Sequence, residues 1–274
     1  MTGTGAYIEK MTAVNPLMEP VAVSAIRALA LPAGSEGLDA GCGIGLDVLR
    51  LVEAVGPGGH VTGLDLSKEH LSTARLMAAE SGLSERISFK HGDVTALPFE
   101  NAAFDWVWSS CCVGYAGAIE PLAALKELVR VVKTGGVAAI LVWSSEKLLP
   151  GYPLLEAHLN ATSSGIAPFA KHGRPELHFM RALAWFQESG LIKPLVRTFV
   201  RDIQAPLTEE IREALITLFQ MRWPGAEPEL PPEMRPLYRK LCTPGSPEFI
   251  LNQADYYAFF TCTMFSGVKR SSGG

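Results

Sequence analysis

Between Glu36 and Trp143 short apolar runs alternate with helix-length amphipathic segments, the pattern that βαβ units and a parallel sheet produce. The runs read as strands are GLDA, HVTGLDL, ISFKHGD, FDWVWSS and VAAILVW. After the first, Val48, Leu49, Leu51, Val52 and Val55 give a helix with a wide apolar face, which Gly56 ends. Ser67 is placed to cap the next helix and Gly82 to close it. Leu122, Leu125, Leu128, Val129 and Val132 then recur at helical spacing until KTGG ends that helix. These stripes are core positions and carry no chemistry.

After Ser144 the alternation stops, and Pro150, Pro153, Pro168 and Pro175 interrupt a segment rich in small residues, read as an irregular insertion or lid. A helix near LHFMRALAWFQESGL and a strand near PLVRTFVRDI resume the layers. Residues 207–250 hold the helix EEIREALITLFQM and a proline-rich stretch, and the β-rich run DYYAFFTCTMFSGVK follows.

Composition narrows the function classes. The chain has 274 residues, 48% of them hydrophobic, and a formal charge of -4, so it can bury a real core and lacks the basic surplus that phosphate-backbone binding uses. Nucleic acid is therefore a disfavoured partner. Cys42, Cys111, Cys112, Cys242 and Cys262 are too scattered for a disulfide framework, and no C-x-x-C pair marks a zinc site, so no metal is expected. The opening MTGTGAYIEK lacks a leader pattern and the run VAAILVW is too short to span a bilayer, which together with the cysteine usage points to the cytoplasm.

The candidate chemistry sits at three successive strand ends. GLDAGCGIGLD places Gly41, Gly43 and Gly45 in the turn between the first strand and its helix, where open α/β sheets bind ligands. The G-x-G-x-G spacing is tighter than the G-x-G-x-x-G of dinucleotide sites. Asp65 ends the second strand, where a carboxylate can accept from both hydroxyls of a ribose, and Asp93 ends the third, placed to accept from an exocyclic amine such as that of adenine. Each aspartate alone also fits a helix cap or a turn former. Together beside one glycine loop they read as a nucleoside site.

LDAGCGIG, VTGLDLS, FKHGDVTALPF, FDWVWSS and ALKELVRVVKTGGVAAI, in that order across about residues 35–145, resemble the class I S-adenosylmethionine-dependent methyltransferases, especially the small-molecule group that includes ubiquinone/menaquinone and sterol methyltransferases. The resemblance implies an α/β, Rossmann-like, seven-stranded, mostly parallel sheet with helices on both faces and an antiparallel last strand, plus lid insertions. It implies one methyltransferase domain over residues 1–274, with an N-terminal cover at 1–34, a cofactor-binding core at 35–145, lids at 146–176 and 207–250, and the remainder of the core at 177–206 and 251–268. It also implies S-adenosylmethionine as cofactor. Asp39 and the backbone of Ala40, Gly41, Cys42, Gly43 and Gly45 would face the methionine part, Asp65 the ribose, Leu66 one adenine face, and Asp93 with the Val94 amide the adenine edge. Ser109, just past the fourth strand, would lend its carbonyl to the cofactor's amino group. Cys42 also reads as a small buried packing residue.

A sulfonium carries its own leaving group, so the protein's main task is to align an acceptor, and a dedicated base is optional. His158, His172 and His178 lie in or beside the expected lid but fit surface or capping roles as well. The fourth strand ends in SSCCVGY, without the signatures of nucleobase methyltransferases. Cys111 and Cys112 leave arsenite methylation open, although residues 146–206 hold no further cysteine. Tyr7, Trp108, Tyr115, Phe169, Phe179 and Trp223 are candidate apolar walls for an acceptor, or simply core. The expected function is methyl transfer to a small, partly apolar metabolite. A non-catalytic S-adenosylmethionine binder and an NAD-dependent oxidoreductase are the other readings.

Overall fold

A computed structural model describes residues 3–114, 120–170 and 174–270. Seven strands form one sheet: β1 (Glu36–Ala40), β2 (His60–Asp65), β3 (Ile87–His91), β4 (Phe104–Ser110), β5 (Val132–Lys147), β6 (Leu191–Gln204) and β7 (Tyr257–Lys269), in the order β3-β2-β1-β4-β5-β7-β6. The pairs β1–β2, β2–β3, β1–β4 and β4–β5 are parallel, and the last strand runs antiparallel. The order reverses at β1, between its neighbours β2 and β4, which is the switch point where such sheets open a crevice at the strand ends.

The amphipathic stripes become α2 (Leu46–Ala54), α3 (Lys68–Glu80) and α4 (Pro121–Val131). Val48, Leu51 and Val52 are fully buried on α2, as are Ala124, Leu125 and Leu128 on α4. Each such valine or leucine contributes roughly 1.5–3 kcal/mol of burial, far more than helix propensity supplies. Ser67 caps α3 by accepting from the His70 amide at 3.2 Å, as expected. Α4 stops at Val131, and the KTGG expected to end it lies inside β5, whose Lys133 pairs with Asp105 at 2.8 Å.

The chain forms two compact units. One comprises Ala22–Trp143, Arg174–Phe199 and Thr263–Gly274 and contains the glycine turn, Asp65 and Asp93. Its additional helix α7 (Ala182–Glu188) buries Trp185 and Phe186. The other comprises Met1–Val21, Ser144–Gly173 and Val200–Cys262. The segment read as irregular after Ser144 holds two helices there, α5 (Pro153–Ala161) and α6 (Ser163–Ala170). Pro153 starts α5 at a first-turn position, where its missing N–H costs nothing, so a proline taken as a breaker acts as an initiator. The N-terminal segment is the helix α1 (Gly3–Ala28), which runs through Pro16 and Pro20 and across the boundary between the units. The long helix α8 (Glu209–Arg222) has Thr208 accepting from the Ile211 amide at 3.3 Å, and α9 (Arg235–Cys242) follows the proline-rich stretch. Glu146 and Arg222, both nearly fully buried, form an ion pair at 2.6 Å that fixes the end of β5 to α8.

Candidate active site

The glycine turn is anchored to the end of β2. The Gly41 and Cys42 amides both donate to the Leu64 carbonyl, at 2.8 and 2.9 Å, and the Gly43 amide donates to Asp65 Oδ2 at 2.9 Å. The three glycines have positive φ values of 83, 53 and 84°, yet their surroundings differ. A β-carbon at Gly41 would lie 2.4 Å from Cys112 Sγ, and one at Gly45 would lie 2.9 Å from the Ala74 methyl on α3. Only at Gly43 would a β-carbon meet nothing within 4 Å. The open approach is therefore at Gly43, while Gly41 and Gly45 are needed for packing of the turn against the fold itself.

Asp39, at the end of β1, is 1% exposed and neither carboxylate oxygen has a hydrogen-bond partner among the described residues. Burial, then the charges of Asp47 and Asp65, push its carboxyl well above the usual carboxylate range, and Arg50 offsets this only partly. Buried charges without partners are costly, so a cation delivered to this point would relieve a standing penalty. The same carboxylate would repel a pyrophosphate laid against the turn.

Asp65 is half-buried and well supplied with donors. Besides Gly43, its carboxylate accepts from the Ser67 amide at 2.8 Å, and His70 Nδ1 lies 3.2 Å away. Asp93 sits two residues beyond the end of β3, not at the strand end as expected. Its Oδ1 accepts from the Thr95 amide at 2.8 Å and hydroxyl at 2.7 Å, which holds the exposed carboxyl below the usual range. Leu66, between β2 and α3, is 66% exposed. The Val94 side chain is buried. Ser109 lies inside β4, not past it, and its buried hydroxyl donates to the Ala40 carbonyl at 2.8 Å, clamping the ends of β1 and β4 together. Cys42 is buried and its thiol is pushed far up by that burial, so it packs and does not react.

Two residues of this region were not singled out from sequence. Asp47, in the first turn of α2, accepts from Trp108 Nε1 at 3.1 Å and from Arg50 at 2.6 Å. His70 stands against Asp65. The signal available for both was first-turn placement in the helix after a strand-end motif, which sequence alone does not separate from ordinary capping.

Residues 38–136 match the methyltransferase domain family. Over 192 residues the chain is 32% identical to the demethylmenaquinone methyltransferase of Staphylococcus aureus, covering 63% of this chain and 74% of the relative. The chain belongs to the class I S-adenosylmethionine-dependent methyltransferases. Among solved structures it resembles the YcgJ protein of Bacillus subtilis, with 19% identity, 92% and 99% of the two chains covered and a TM-score of 0.55. It also resembles an arsenic(III) S-adenosylmethionine methyltransferase from Chlamydomonas reinhardtii, with 19% identity, 89% and 67% covered and a TM-score of 0.50. At such identity these two support the fold alone. Membership makes this methyltransferase an enzyme with S-adenosylmethionine as cofactor and sets the oxidoreductase reading aside.

The remaining candidates of the methyltransferase are dispersed. Trp108 and Phe179 are core side chains of the unit that holds the cofactor motifs, and Trp223 is buried in the other unit, where Tyr7 is 47% exposed. Tyr115, His172 and the Phe169 side chain lie outside the described residues. His178 accepts from the Met180 amide through Nδ1 at 3.2 Å and stacks on Phe179, a capping role, with its pKa lowered by burial. His158 is half-buried near the end of α5. Burial pushes the Cys111 and Cys112 thiols up, to about 11 and about 12, so both are protonated near neutral pH. Among the described residues no three His, Cys, Asp or Glu side chains gather closely enough to hold a metal ion, and no helix is long and apolar enough to cross a membrane.

Proposed function

We propose that this methyltransferase moves the methyl group of S-adenosylmethionine to a small, partly apolar acceptor of the quinol type, in the cytoplasm, and that nucleic acid is not its substrate. The observation that carries the cofactor half is the orphaned Asp39 carboxylate beneath the glycine turn. The cofactor is a nucleoside that carries two cationic centres, a sulfonium and an ammonium, so Asp39, with Asp47 and Asp65 nearby, complements it in charge. When bound, the cofactor supplies an electrophilic methyl group on a sulfonium that is already a good leaving group.

In this reading Asp39 and the Ser109 carbonyl hold the ammonium, and the backbone from Ala40 through Gly41, Cys42 and Gly43 to Gly45 lies along the methionine part. Asp65 uses its remaining acceptor capacity for the ribose hydroxyls while its existing bonds keep the turn in place. The exposed Leu66 covers an adenine face, and Asp93 with the Val94 amide meets the adenine edge. No side chain is assigned as a base, in keeping with catalysis by alignment, which can supply roughly 7–11 kcal/mol.

Support for the acceptor class is the S. aureus relative, whose name specifies demethylmenaquinone, together with the acidic balance of the chain. The arsenite reading finds protonated thiols at Cys111 and Cys112 and no described third ligand beside them. Turnover of methyl-labelled S-adenosylmethionine with a short-chain demethylmenaquinol, with arsenite and with tRNA as parallel acceptors tests the proposal. Label in the quinol alone is expected. Label in tRNA or arsenic, with none in the quinol, would overturn it.

A further inference from the structure

We propose that the unit containing α8 and α9 has a binding site for an uncharged, flat, largely apolar molecule bearing one carbonyl or similar acceptor oxygen. This site shares no residue with the cofactor motifs and does not depend on the proposed acceptor.

A cavity of about 290 Å³ lies between α8, α9 and the turns that follow them. Its walls include Phe219, Trp223, Tyr238 and Phe249, with Gln220 and Cys242 as further polar lining. The volume sits at the lower end of ordinary small-molecule pockets, enough for a bicyclic ring system.

The walls are held in place from behind. Trp223 Nε1 donates to Asn160 Oδ1 at 2.8 Å, so that ring's only donor is already used. Phe219 packs between Trp223 and Phe249, with ring centroids 5.4 and 6.2 Å away. Trp223 and Phe249 are essentially fully buried. Arg212 lies over the Phe249 ring and donates to the Leu251 carbonyl at 2.8 Å, which fixes the far side. Such preorganised aromatic walls favour a flat ring at offset or edge geometry.

The polar lining defines the rest of the ligand. No charged side chain is among the lining residues; the charges near it are partnered, in the pairs Arg239–Glu227 and Lys240–Glu248 and in Glu156, which acts on Cys242 and is held by Lys147 and the Leu148 amide. A charged ligand would find no counterion. Gln220 at the exposed mouth and the half-buried Tyr238 and Cys242 in the lining make no side-chain hydrogen bond with any described residue, so the site keeps donors to spare. Burial raises the Tyr238 phenol, and raises the Cys242 thiol to about 12, which keeps both as donors at working pH. A single acceptor oxygen on an otherwise apolar ring matches this set.

Calorimetry of the full chain with 2-acetylnaphthalene and its carbonyl-free analogue 2-ethylnaphthalene tests the assignment without any readout of methyl transfer. Both should bind, the ketone more tightly. Tyr238→Phe should weaken the ketone about three- to tenfold and leave the hydrocarbon unchanged. Ile216→Trp, at the wall, should abolish both. Should that variant fail to fold by circular dichroism, Gln220→Trp blocks the mouth from an exposed position. Absence of binding by both naphthalenes, equal binding to a folded wall or mouth variant, or an unchanged ketone affinity in Tyr238→Phe would overturn the proposal.

Discussion

Replacing Asp39 by Asn separates what this residue costs the fold from what it does for the cofactor. In the empty protein the carboxylate is 1% exposed, without a hydrogen-bond partner and beside Asp47 and Asp65. Leaving a buried polar group unpaired costs roughly 1–3 kcal/mol, and a charge costs more. The neutral isostere should therefore stabilise the empty protein by about 1–3 kcal/mol at pH 8, or roughly 2–5 °C in melting temperature for a chain of this size. The sign follows from linkage. Burial raises the folded-state pKa, so Asp39's contribution to stability is fully present below the unfolded value near 3.9 and is lost as pH rises through the folded value. The advantage of Asp39→Asn should thus vanish at acid pH and grow toward neutrality.

The same substitution should weaken S-adenosylmethionine binding by about ten- to a hundred-and-fifty-fold, the loss of one charge-assisted hydrogen bond. Because the ammonium favours the ionised carboxylate, wild-type binding should release a proton and tighten as pH rises above the usual carboxylate range. Thermal melts at pH 5 and pH 8, and calorimetry in buffers of different ionisation enthalpy, read both effects. A variant that melts below wild type at pH 8 and binds the cofactor with unchanged affinity would refute the reasoning.

Asp65→Ala should weaken the cofactor by about 2–4 kcal/mol and also lower stability by roughly 1–2 kcal/mol, since the Gly43 and Ser67 amides lose their acceptor; chemical denaturation and calorimetry check the two parts. Gly43→Ala should cost the fold only about 1–2 kcal/mol, the left-handed penalty, whereas Gly41→Ala should cost more because its β-carbon meets Cys112; the pair of melts orders them, and equal losses would contradict the packing assignment. Glu146→Gln should destabilise by about 3–5 kcal/mol near neutral pH by leaving the Arg222 guanidinium buried without its counterion, measured by urea unfolding.

The layered fold, and the strand ends that carry the candidate site, were legible in the linear chain, because both are local properties. Apolar periodicity over ten or so residues marks a helix such as α4 or a strand such as β4, and FDWVWSS coincides with β4 residue for residue. The turn from Gly41 to Gly45 and the strand-end Asp65 are short-range motifs tied to particular strand ends, so their places at those ends could be anticipated without knowing what packs around them. Where local signals conflicted, the sequence misled: prolines after Ser144 suggested irregular chain, yet Pro153 opens a helix, since its effect depends on whether it falls at the first turn or the interior. What only tertiary structure decided was which long-range neighbour each residue meets. Gly41 faces Cys112, 71 positions away, and Gly45 faces Ala74, so at two of three glycines that read alike it is the fold's own packing that leaves no room for a side chain. The isolation of Asp39, the pairing of Glu146 with Arg222 and the cavity beside Trp223 are likewise sums over distant segments. Burial and electrostatics depend on everything within a few ångströms, whatever its place in the chain, and no periodicity encodes that.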